Sequence, residues 1–424
     1  MKKILAIAVV LCMMLSLSAV SFADDAKPFE GETLTVLYMT SVYADAARAM
    51  VPEFEEATGA KVEVVDFPYT ELHQKILLDA ISNAGTYDVV DVASQWDGEF
   101  APFMTNLGEY IERDGYDTTV FIQNILDNSG IWQGEFYGIP NANTPGVFAY
   151  RTDIYPDGLA DNWADYREQV KAATKDGFYG NNIAGIYGQL SGVFDYVLWS
   201  MGGAWADENW NVTIDSEETR AALNHLKEMN DNGSLNPNWL SWGVDESIQD
   251  FLAGNSGVCE TWPTLGLTQA GDDPAQSQVV GKWALSVPPH DKTGICLLSA
   301  WDVAIPASSQ HKDLAWEWIK MYTSFEKQCE FYDQFGIMSP REAFWEQDGI
   351  KGTFMDAVRD ALDTANMWWR VPASTEVDDI LNVQVSAYIS GQQDLETTVA
   401  NMDAGIRQAL ENNPVEEGIV NFNH

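Results

Sequence analysis

Three β-rich runs decide the fold of this chain: LTVLYM (34–39), VEVVD (62–66) and YDVVDVA (87–93). The two segments between them, 45–58 and 70–81, carry apolar residues at intervals of three and four, which is typical of amphipathic helices. Gly59 follows the first of these helices as a stop signal. The resulting β-α-β-α-β order predicts a parallel, doubly wound sheet that presents ligands at the carboxyl ends of its strands.

A second α/β series follows further along the chain. The pattern predicts helices at 161–176, 215–231 and 245–253, with a short strand at 258–262. A strand at 295–305 leads into a helix predicted from Gln310 to about Tyr332, and helices at 376–390 and 394–412 end the series. Because the sequence has no internal repeat or Pro-rich linker, we expect crossing strands, rather than a flexible tether, to join the two units.

The amino terminus has the pattern of a secretory signal. Two lysines precede an apolar run at 4–20, and Ser21-Phe22-Ala23 supplies a small-x-small cleavage site. A membrane anchor is the alternative, but a run of about 17 apolar residues is at the short limit for a span. Cys12 follows Val-Val-Leu rather than a small residue, so no lipid anchor is expected. We predict that residues 1–23 are removed, leaving an unacylated periplasmic or secreted protein that starts at Asp24.

Length and charge narrow the class of protein. The 401 residues that follow the signal are too many for one core and suit two domains. The formal net charge is −41, or −43 without Lys2 and Lys3, which disfavours nucleic acid and anionic membranes as partners. An anionic ligand is also disfavoured, although a local Arg could override the overall charge. Solubility or adaptation to salt explains the acidity most simply.

The cysteines and histidines show no metal-binding pattern. Cys259, Cys296 and Cys329 include no close-spaced pair of the zinc or redox type, and the five histidines are scattered. We therefore expect neither a metal nor another cofactor. The cysteines are expected to be buried, and a disulfide between Cys259 and Cys296 stays open for an oxidising compartment.

Seven short segments, in order along the chain, match the signatures of one family. They are FEEATGAKV (54–62), GTYDVV (85–90), GEFYGIP (134–140), AYRTDIY (149–155), FLAG (251–254), AWDVAIP (300–306) and AWEWIK (315–320). In this order and spacing they resemble the extracellular solute-binding proteins of bacterial ABC sugar importers, the family that includes the maltose-binding type. Each segment alone is unspecific, but together they span essentially the whole mature chain.

The resemblance implies a fold and a function. The fold is α/β and of the type II periplasmic binding-protein kind: two doubly wound lobes joined by crossing hinge segments near 147–151, 295–300 and 337–340, with the ligand in the cleft between the lobes. Lobe 1 is then expected to comprise 24–148 and 296–338, and lobe 2 to comprise 149–295 and 339–424. The implied function is that of a monomeric, non-catalytic subunit that closes around a monosaccharide, oligosaccharide or polyol. It delivers this ligand to the transmembrane permease of an ABC importer.

A neutral sugar offers apolar faces and hydroxyls, so its site needs aromatic platforms and planar hydrogen-bonding side chains. Trp96 and Asp97 follow the third predicted strand, where doubly wound sheets present ligands. Trp262, Trp301 and Asp302 match family positions that commonly face the cleft. The remaining candidates are Tyr43, Asn141 and Asn143, for which turn chemistry is an equal explanation, and Arg341 and Arg370, which pairing with acidic residues would also explain.

The alternative function is that of a secreted glycoside hydrolase, which needs two carboxylates flanking a cleft. The sequence has 64 acidic residues, so their presence does not discriminate between the two functions. No G-x-S-x-G, H-E-x-x-H or phosphate-binding glycine motif is present. We therefore predict a binding protein rather than an enzyme.

Overall fold

The computed structural model describes residues 27–415, apart from 261, 354 and 364, so the predicted signal peptide and cleavage site lie outside the described residues. The first five elements are β1 (Thr33–Met39), α1 (Val42–Thr58), β2 (Lys61–Phe67), α2 (Tyr69–Ser82) and β3 (Val89–Ala93). β1 pairs in parallel with both β2 and β3. The predicted β-α-β-α-β order is therefore confirmed, and each element ends within three residues of its predicted ends.

A strand from a distant part of the chain, β10 (Leu297–Ala304), completes the larger sheet. It runs antiparallel to β3 on one side and to β6 (Gly138–Pro145) on the other, and its first residues also pair with β11 (Asn366–Met367). The register with β6 shifts between Trp301 and Asp302, which leaves Asn141 as an extra residue in β6. A bulge of this kind re-aims the side chain that it carries.

The chain enters a second sheet two residues after β6. This sheet is antiparallel and contains β7 (Phe148–Arg151), β8 (Val258–Cys259) and β9 (Trp283–Ser286), with β7 in the middle. Gly146 lies at the crossing between the sheets, where a β-carbon would come within 2.6 Å of the carbonyl oxygen of Leu297. Glycine is therefore needed for the two crossing strands to approach each other. A short hairpin of β4 (Ile131–Trp132) and β5 (Glu135–Phe136) precedes β6.

Helices make up most of the rest of the described chain. They are α3 (Asp97–Phe100), α4 (Gly108–Asp114), α5 (Gln123–Asn128), α6 (Trp163–Ala173), α7 (Leu190–Ser200), α8 (Glu217–Asp231), α9 (Val244–Leu252), α10 (Leu267–Ala270), α11 (Lys312–Tyr322), α12 (Phe325–Phe335), α13 (Glu342–Trp345), α14 (Met355–Leu362), α15 (Ser374–Ile389) and α16 (Leu395–Asn412). Of these helices, none combines the length and the apolar character that a bilayer span requires.

Two helical regions differ from the predictions. The single helix predicted from Gln310 to Tyr332 is wrong, because Ser324 interrupts it and caps a new helix by accepting a hydrogen bond from the Lys327 amide at 3.3 Å. Helix α7 was not predicted, because all 11 of its residues are buried. A helix buried on every side has no polar face and hence no hydrophobic period.

Two large hydrophobic cores define the two halves of the molecule, which we call lobe 1 and lobe 2. The core of lobe 1 surrounds the larger sheet and includes the fully buried Trp316 and Trp318. The core of lobe 2 surrounds the smaller sheet and packs α7, α8, α15 and α16 together. A third cluster, which includes Val147, Cys296 and Met338, lies where the chain passes between the lobes. Cys259 and Cys296 are buried as expected, whereas Cys329 is only partly buried, and no disulfide joins the cysteines within the described chain.

Candidate ligand-binding cleft

The two lobes meet along a cleft at the carboxyl ends of β1, β2 and β3. A short turn at Ser94–Trp96 follows β3 and comes within 8 Å, Cα to Cα, of α15 in lobe 2. On the other side, the turn at Pro263–Leu265 comes equally close to β6 in lobe 1. The side chains that follow these strands are therefore enclosed between the lobes.

Four aromatic residues, Tyr43, Tyr69, Trp96 and Trp301, form what we call the lobe 1 wall. The ring centroid of Trp301 lies 5.6 Å from that of Tyr43, 5.8 Å from that of Trp96 and 6.1 Å from that of Tyr69. Tyr69 and Trp96 are closer still, at 4.8 Å. Tyr43 and Tyr69 stand at the first turns of α1 and α2, directly after β1 and β2. The structure thus brings together three of the predicted residues and adds Tyr69.

Trp262 and Trp368 form the corresponding lobe 2 wall, with ring centroids 5.6 Å apart. Trp262 has a backbone φ of +39°, in the left-handed region that a bulky residue rarely adopts. Strain of this kind costs about 1–3 kcal/mol and is concentrated at ligand-binding sites. Neither indole nitrogen has a hydrogen-bond partner among the described residues. Both walls therefore present aromatic surface, and the lobe 2 wall adds two donors.

Asp91 and Asn141 supply polar groups on the lobe 1 side. The Asn141 side-chain amide donates to Asp91 Oδ1 at 3.1 Å, and the Met39 amide donates to Asp91 Oδ2 at 3.3 Å. Burial raises the pKa of Asp91 to about 7, although both hydrogen bonds oppose the shift. The Asn141 Oδ1 atom, at the bulge in β6, accepts no hydrogen bond from the part of the chain that the structure describes.

Asn143 lies in a small cavity that both lobes line. Its side-chain amide donates to the Met338 carbonyl at 3.1 Å, whereas its Oδ1 atom is buried without a partner in the described chain. Lobe 1 also contributes Tyr43 and Thr144, whose hydroxyls are 3.1 Å apart. The other lining residues are Val42, Thr264, Leu265 and the crossing segment 336–338. Tyr43, Asn143 and a residue of lobe 2, Thr264, thus line one cavity.

Asp97 and Asp302, both predicted to bind ligand, are instead engaged with each other and with groups of the protein. Asp97 Oδ2 accepts from Gly130 N at 3.0 Å and from Arg370 Nη2 at 2.7 Å, and the Ser129 hydroxyl donates to Asp302 Oδ2 at 3.3 Å. Burial and then the Asp97 carboxylate raise the pKa of Asp302 well above its usual range. Successive residues of a strand face opposite sides, so Asp302 points away from the wall that contains Trp301. We therefore correct these two assignments.

The two predicted arginines are also used elsewhere. Arg370 reaches lobe 1, where it bonds the Ile131 carbonyl as well as Asp97, and its side chain lies 5.8 Å from the ring centroid of Trp132. Arg341 donates from Nε to the Thr323 carbonyl at 2.6 Å and lies 4.9 Å from the ring centroid of Phe121. Both guanidinium groups thus contact backbone carbonyls and aromatic rings of the protein near the chain crossings. We therefore withdraw Arg341 and Arg370 as ligand contacts.

Several residues of the cleft were not predicted as site residues. They are Tyr69, Gln95, Thr264 and Trp368. Two aspartates on helices of lobe 2, Asp195 of α7 and Asp378 of α15, were not predicted either. One sequence signal could have found Asp195: it is the one charged residue in the 11-residue stretch LSGVFDYVLWS. Among the described residues, no group of three His, Cys, Asp or Glu side chains is arranged to hold a metal ion.

Residues 40–328 match the family model described as bacterial extracellular solute-binding protein. A probable amino-acid ABC transporter periplasmic-binding protein of Sinorhizobium fredii is 28% identical over 75% of each chain. A mannitol-binding protein of Pseudomonas aeruginosa is 24% identical over 67% of each chain. A solute-binding protein of Agrobacterium radiobacter, solved with ribitol, superposes with a TM-score of 0.83 at 23% identity, covering 90% of this chain and 100% of that one.

A maltose-bound MalE3 of T. maritima superposes with a TM-score of 0.82 at 22% identity, covering 89% of this chain and 99% of that one. These structures confirm the predicted two-lobed fold of the type II periplasmic binding proteins. The alternative of a secreted glycoside hydrolase is wrong, because the matched family binds solutes. The chain belongs to the bacterial extracellular solute-binding protein family, and it is an extracytoplasmic binding protein rather than an enzyme.

Proposed function

We propose that this protein captures a small carbohydrate or polyol and delivers it to the permease of an ABC importer. The observation that carries the proposal is that each lobe has a pair of packed tryptophans beside the cleft, Trp96 and Trp301 in lobe 1 and Trp262 and Trp368 in lobe 2. Aromatic rings pack against the C–H faces of sugars and polyols, and both kinds of ligand occur among the related proteins.

The unpartnered polar atoms of the cleft match hydroxyl groups. Asn141 Oδ1, Asn143 Oδ1 and Gln95 Oε1 are buried acceptors, and the indole nitrogens of the lobe 2 wall are buried donors. Leaving a buried polar atom without a hydrogen bond costs about 1–3 kcal/mol. Because a hydroxyl both donates and accepts, a sugar or polyol would satisfy acceptors on lobe 1 and donors on lobe 2 at the same time.

An α-amino acid is the second candidate, since one relative carries that description. Such a ligand brings a carboxylate, which requires a cation or several free amide donors. The guanidinium groups of the two arginines that were predicted to contact ligand, Arg341 and Arg370, are engaged by other groups of the protein. On the lobe 1 side, the Asn141 amide already donates to Asp91, so this side chain offers a ligand carboxylate neither a cation nor that amide hydrogen. A carbohydrate therefore fits the cleft better than an amino acid.

Transport follows from hinge closure. The aromatic walls belong to different lobes, so a solute that contacts both walls binds the closed form more tightly and shifts the population toward it. The chain passes between the lobes near residues 146 and 338, where a hinge needs only local backbone rotation.

We propose lobe boundaries at 24–148 with 296–338, and at 149–295 with 339–424. The closed form, a monomer in the periplasm or outside the cell with its signal peptide removed, would dock on the permease.

A thermal-shift screen tests the proposal. The purified mature protein is heated with a panel of monosaccharides, oligosaccharides, polyols and the common amino acids, and each hit is titrated by calorimetry. We expect at least one carbohydrate or polyol to raise the melting temperature and to bind with a micromolar or lower dissociation constant. A panel in which only amino acids bind would overturn the proposal.

A further inference from the structure

Asp195 is a buried carboxylate that has no part in the aromatic walls or in the polar contacts of the proposed binding site. It lies in the middle of α7, its side chain is 0% exposed, and neither of its oxygens has a hydrogen-bond partner among the described residues. Burial, and then the charge of Asp378, raises the pKa of Asp195 well above its usual range; the Trp369 indole opposes this without reaching hydrogen-bond geometry. An unpaired carboxylate in such a place is costly unless it has a partner outside the chain.

Asp378 lies beside Asp195 because of the way in which α7 and α15 pack. Asn382 of α15 accepts from the Ser191 amide at 3.1 Å and donates to the Ser191 hydroxyl at 3.1 Å, which fixes one contact between the helices. Asp195 is four residues after Ser191, and Asp378 is four residues before Asn382. Trp199, near the end of α7, packs on Trp369, which precedes α15, with ring centroids 5.8 Å apart, so the two helices run antiparallel. The two steps of four residues therefore lead in the same direction, which brings Asp195 and Asp378 near each other.

Asp378 lies on the side of α15 that approaches lobe 1. The turn at Ser94–Trp96, which carries Trp96 of the lobe 1 wall, comes within 8 Å, Cα to Cα, of α15, and burial and then the charge of Asp378 raise the pKa of Tyr69 in the same wall. Gln95 donates to the Tyr69 hydroxyl at 2.5 Å, and its Oε1 atom is buried without a partner in the described chain. On lobe 2, Trp368 packs on Gly192, one turn before Asp195 on α7. The helices that carry the two aspartates, the unpartnered Gln95 oxygen and one residue of each aromatic wall therefore lie along the same part of the boundary between the lobes.

The charges around the pair decide what fills this space. The charged group that acts on Asp195 is Asp378, and the charged group that acts on Asp378 is Asp379, so each of these influences is negative. The raised pKa values of the two carboxyls favour their protonated, neutral forms in the free protein, and hydroxyl groups would add hydrogen bonds without using the charge that the pair can carry. A protonated amine supplies both hydrogen bonds and positive charge, and the adjacent indole faces attract it further.

We infer that Asp195 and Asp378 form a two-carboxylate anchor for a protonated amine, so that the solute is an amine-bearing carbohydrate or polyol such as a hexosamine or an amino alditol. This inference rests on the proposed function and narrows its substrate class. The amine would lie between α7 and α15 in lobe 2, while the rest of the solute would pack between the aromatic walls.

Matched ligand pairs test the inference. Calorimetric titrations near neutral pH compare D-glucosamine with D-glucose, D-galactosamine with D-galactose, and N-methyl-D-glucamine with D-glucitol, and N-acetyl-D-glucosamine serves as the blocked amine. We expect an amine to bind roughly tenfold or more tightly than its neutral partner, which corresponds to one charge-assisted contact. Equal or tighter binding of the neutral partners overturns the inference but leaves carbohydrate capture standing. Failure of every sugar and alditol, aminated or neutral, overturns both.

Substitutions test the anchor directly. Asp195→Asn and Asp378→Asn each remove one carboxylate and are expected to weaken amine binding roughly tenfold or more, whereas Asp157→Asn is the matched control. Asp157 is an exposed aspartate in the loop between β7 and α6, so its loss should change the affinity by less than about twofold. The melting temperature of the free Asp195→Asn protein should not fall, because a buried unpaired carboxylate is replaced by a neutral amide. Wild-type amine affinity in both Asp195→Asn and Asp378→Asn would overturn the inference.

Discussion

The indole of Trp368 packs directly on Gly192, so closely that a β-carbon at position 192 would lie 2.4 Å from Trp368 Cζ2. Gly192 sits within α7, where glycine is intrinsically unfavourable by about 1 kcal/mol relative to alanine. Its presence there is explained by the close approach of the aromatic ring, because any larger side chain would displace the lobe 2 wall.

Gly192→Ala should therefore weaken solute binding. The added methyl group must push the Trp368 ring away from α7, and we expect a loss of affinity of roughly tenfold or more, measured by calorimetry. Gly405→Ala is a suitable control, because Gly405 is also a helical glycine of lobe 2 but its β-carbon would meet only the flexible Ile380 side chain, at 3.1 Å. Unchanged affinity in Gly192→Ala would show that the position of Trp368 does not matter for binding.

Trp262→Ala should reduce affinity much more than stability. The substitution removes an aromatic face from the cleft, which typically costs about 2–4 kcal/mol of binding free energy at a central contact. Trp239→Ala is the matched control, because Trp239 is a core residue of the same lobe at 1% exposure. Its truncation should cost about 3–5 kcal/mol of folding free energy and leave the affinity of the remaining folded protein unchanged.

For each of these two variants, two quantities are measured: the melting temperature of the free protein and, by calorimetry, the affinity for the identified solute. If Trp262→Ala binds like the wild type and melts at a much lower temperature, Trp262 is a core residue and the lobe 2 wall has been assigned wrongly.

The first half of lobe 1 could be predicted from the sequence because the apolar residues of each strand and helix there recur with the period of that element. β1, β2 and β3 are separated by helices with one apolar face, and Gly59 marks a real helix end, with a φ of +81°. Trp96 and Trp301 could both be predicted as cleft candidates, and they lie near each other because Trp301, in the middle of β10, pairs with Ala93, the last residue of β3.

The directions of the side chains could not be predicted. Whether Asp302 faces the cleft depends on strand register, and the register changes at Asn141 through a bulge that no local pattern predicts. The direction of Asp97 depends on the short turn that leads from β3 into α3. Asp195 lies on a helix without a polar face, so the periodicity that identifies other helices is missing. The proposed aspartate anchor could therefore be inferred only from the packing of α7 against α15.

Arg370→Met should destabilise the protein, because it leaves Asp97 without its cation in a buried place. Removal of one partner of a buried ion pair costs about 3–5 kcal/mol, which urea unfolding will measure. The control is Arg113→Met, since the Arg113 side chain is 48% exposed in its pairs with Asp114 and Asp313, and such pairs contribute less than about 1 kcal/mol. The double variant Arg370→Met with Asp97→Asn should recover part of the lost stability; no recovery would mean that Arg370 stabilises mainly through its carbonyl and ring contacts.

The stability of the free protein should fall as the pH rises from about 5 to about 8. Burial raises the pKa values of Asp91, Glu260 and Asp378 to about 7 in the folded protein. Between the ordinary carboxyl pKa near 4 and this value, the folded state binds more protons than the unfolded state, so the free energy of unfolding decreases with increasing pH. Exposed carboxyls whose pKa is lowered, such as that of Asp231, change the free energy of unfolding only at lower pH values than these. Repulsion within a chain of net charge −41 acts in the same direction.

Glu260→Gln separates the titration of one buried carboxyl from this general repulsion. Glu260 accepts hydrogen bonds from the hydroxyls of Tyr166 at 2.8 Å and Tyr196 at 2.6 Å, so a neutral amide can keep its place in the core of lobe 2. We expect the variant to show a smaller decrease in melting temperature between about pH 5 and about pH 8 than the wild type. Glu208→Gln, an exposed change of the same charge, should leave the slope unchanged. If both variants keep the wild-type slope, the protein does not take up a proton at Glu260 on folding, and the pH dependence arises from overall charge repulsion.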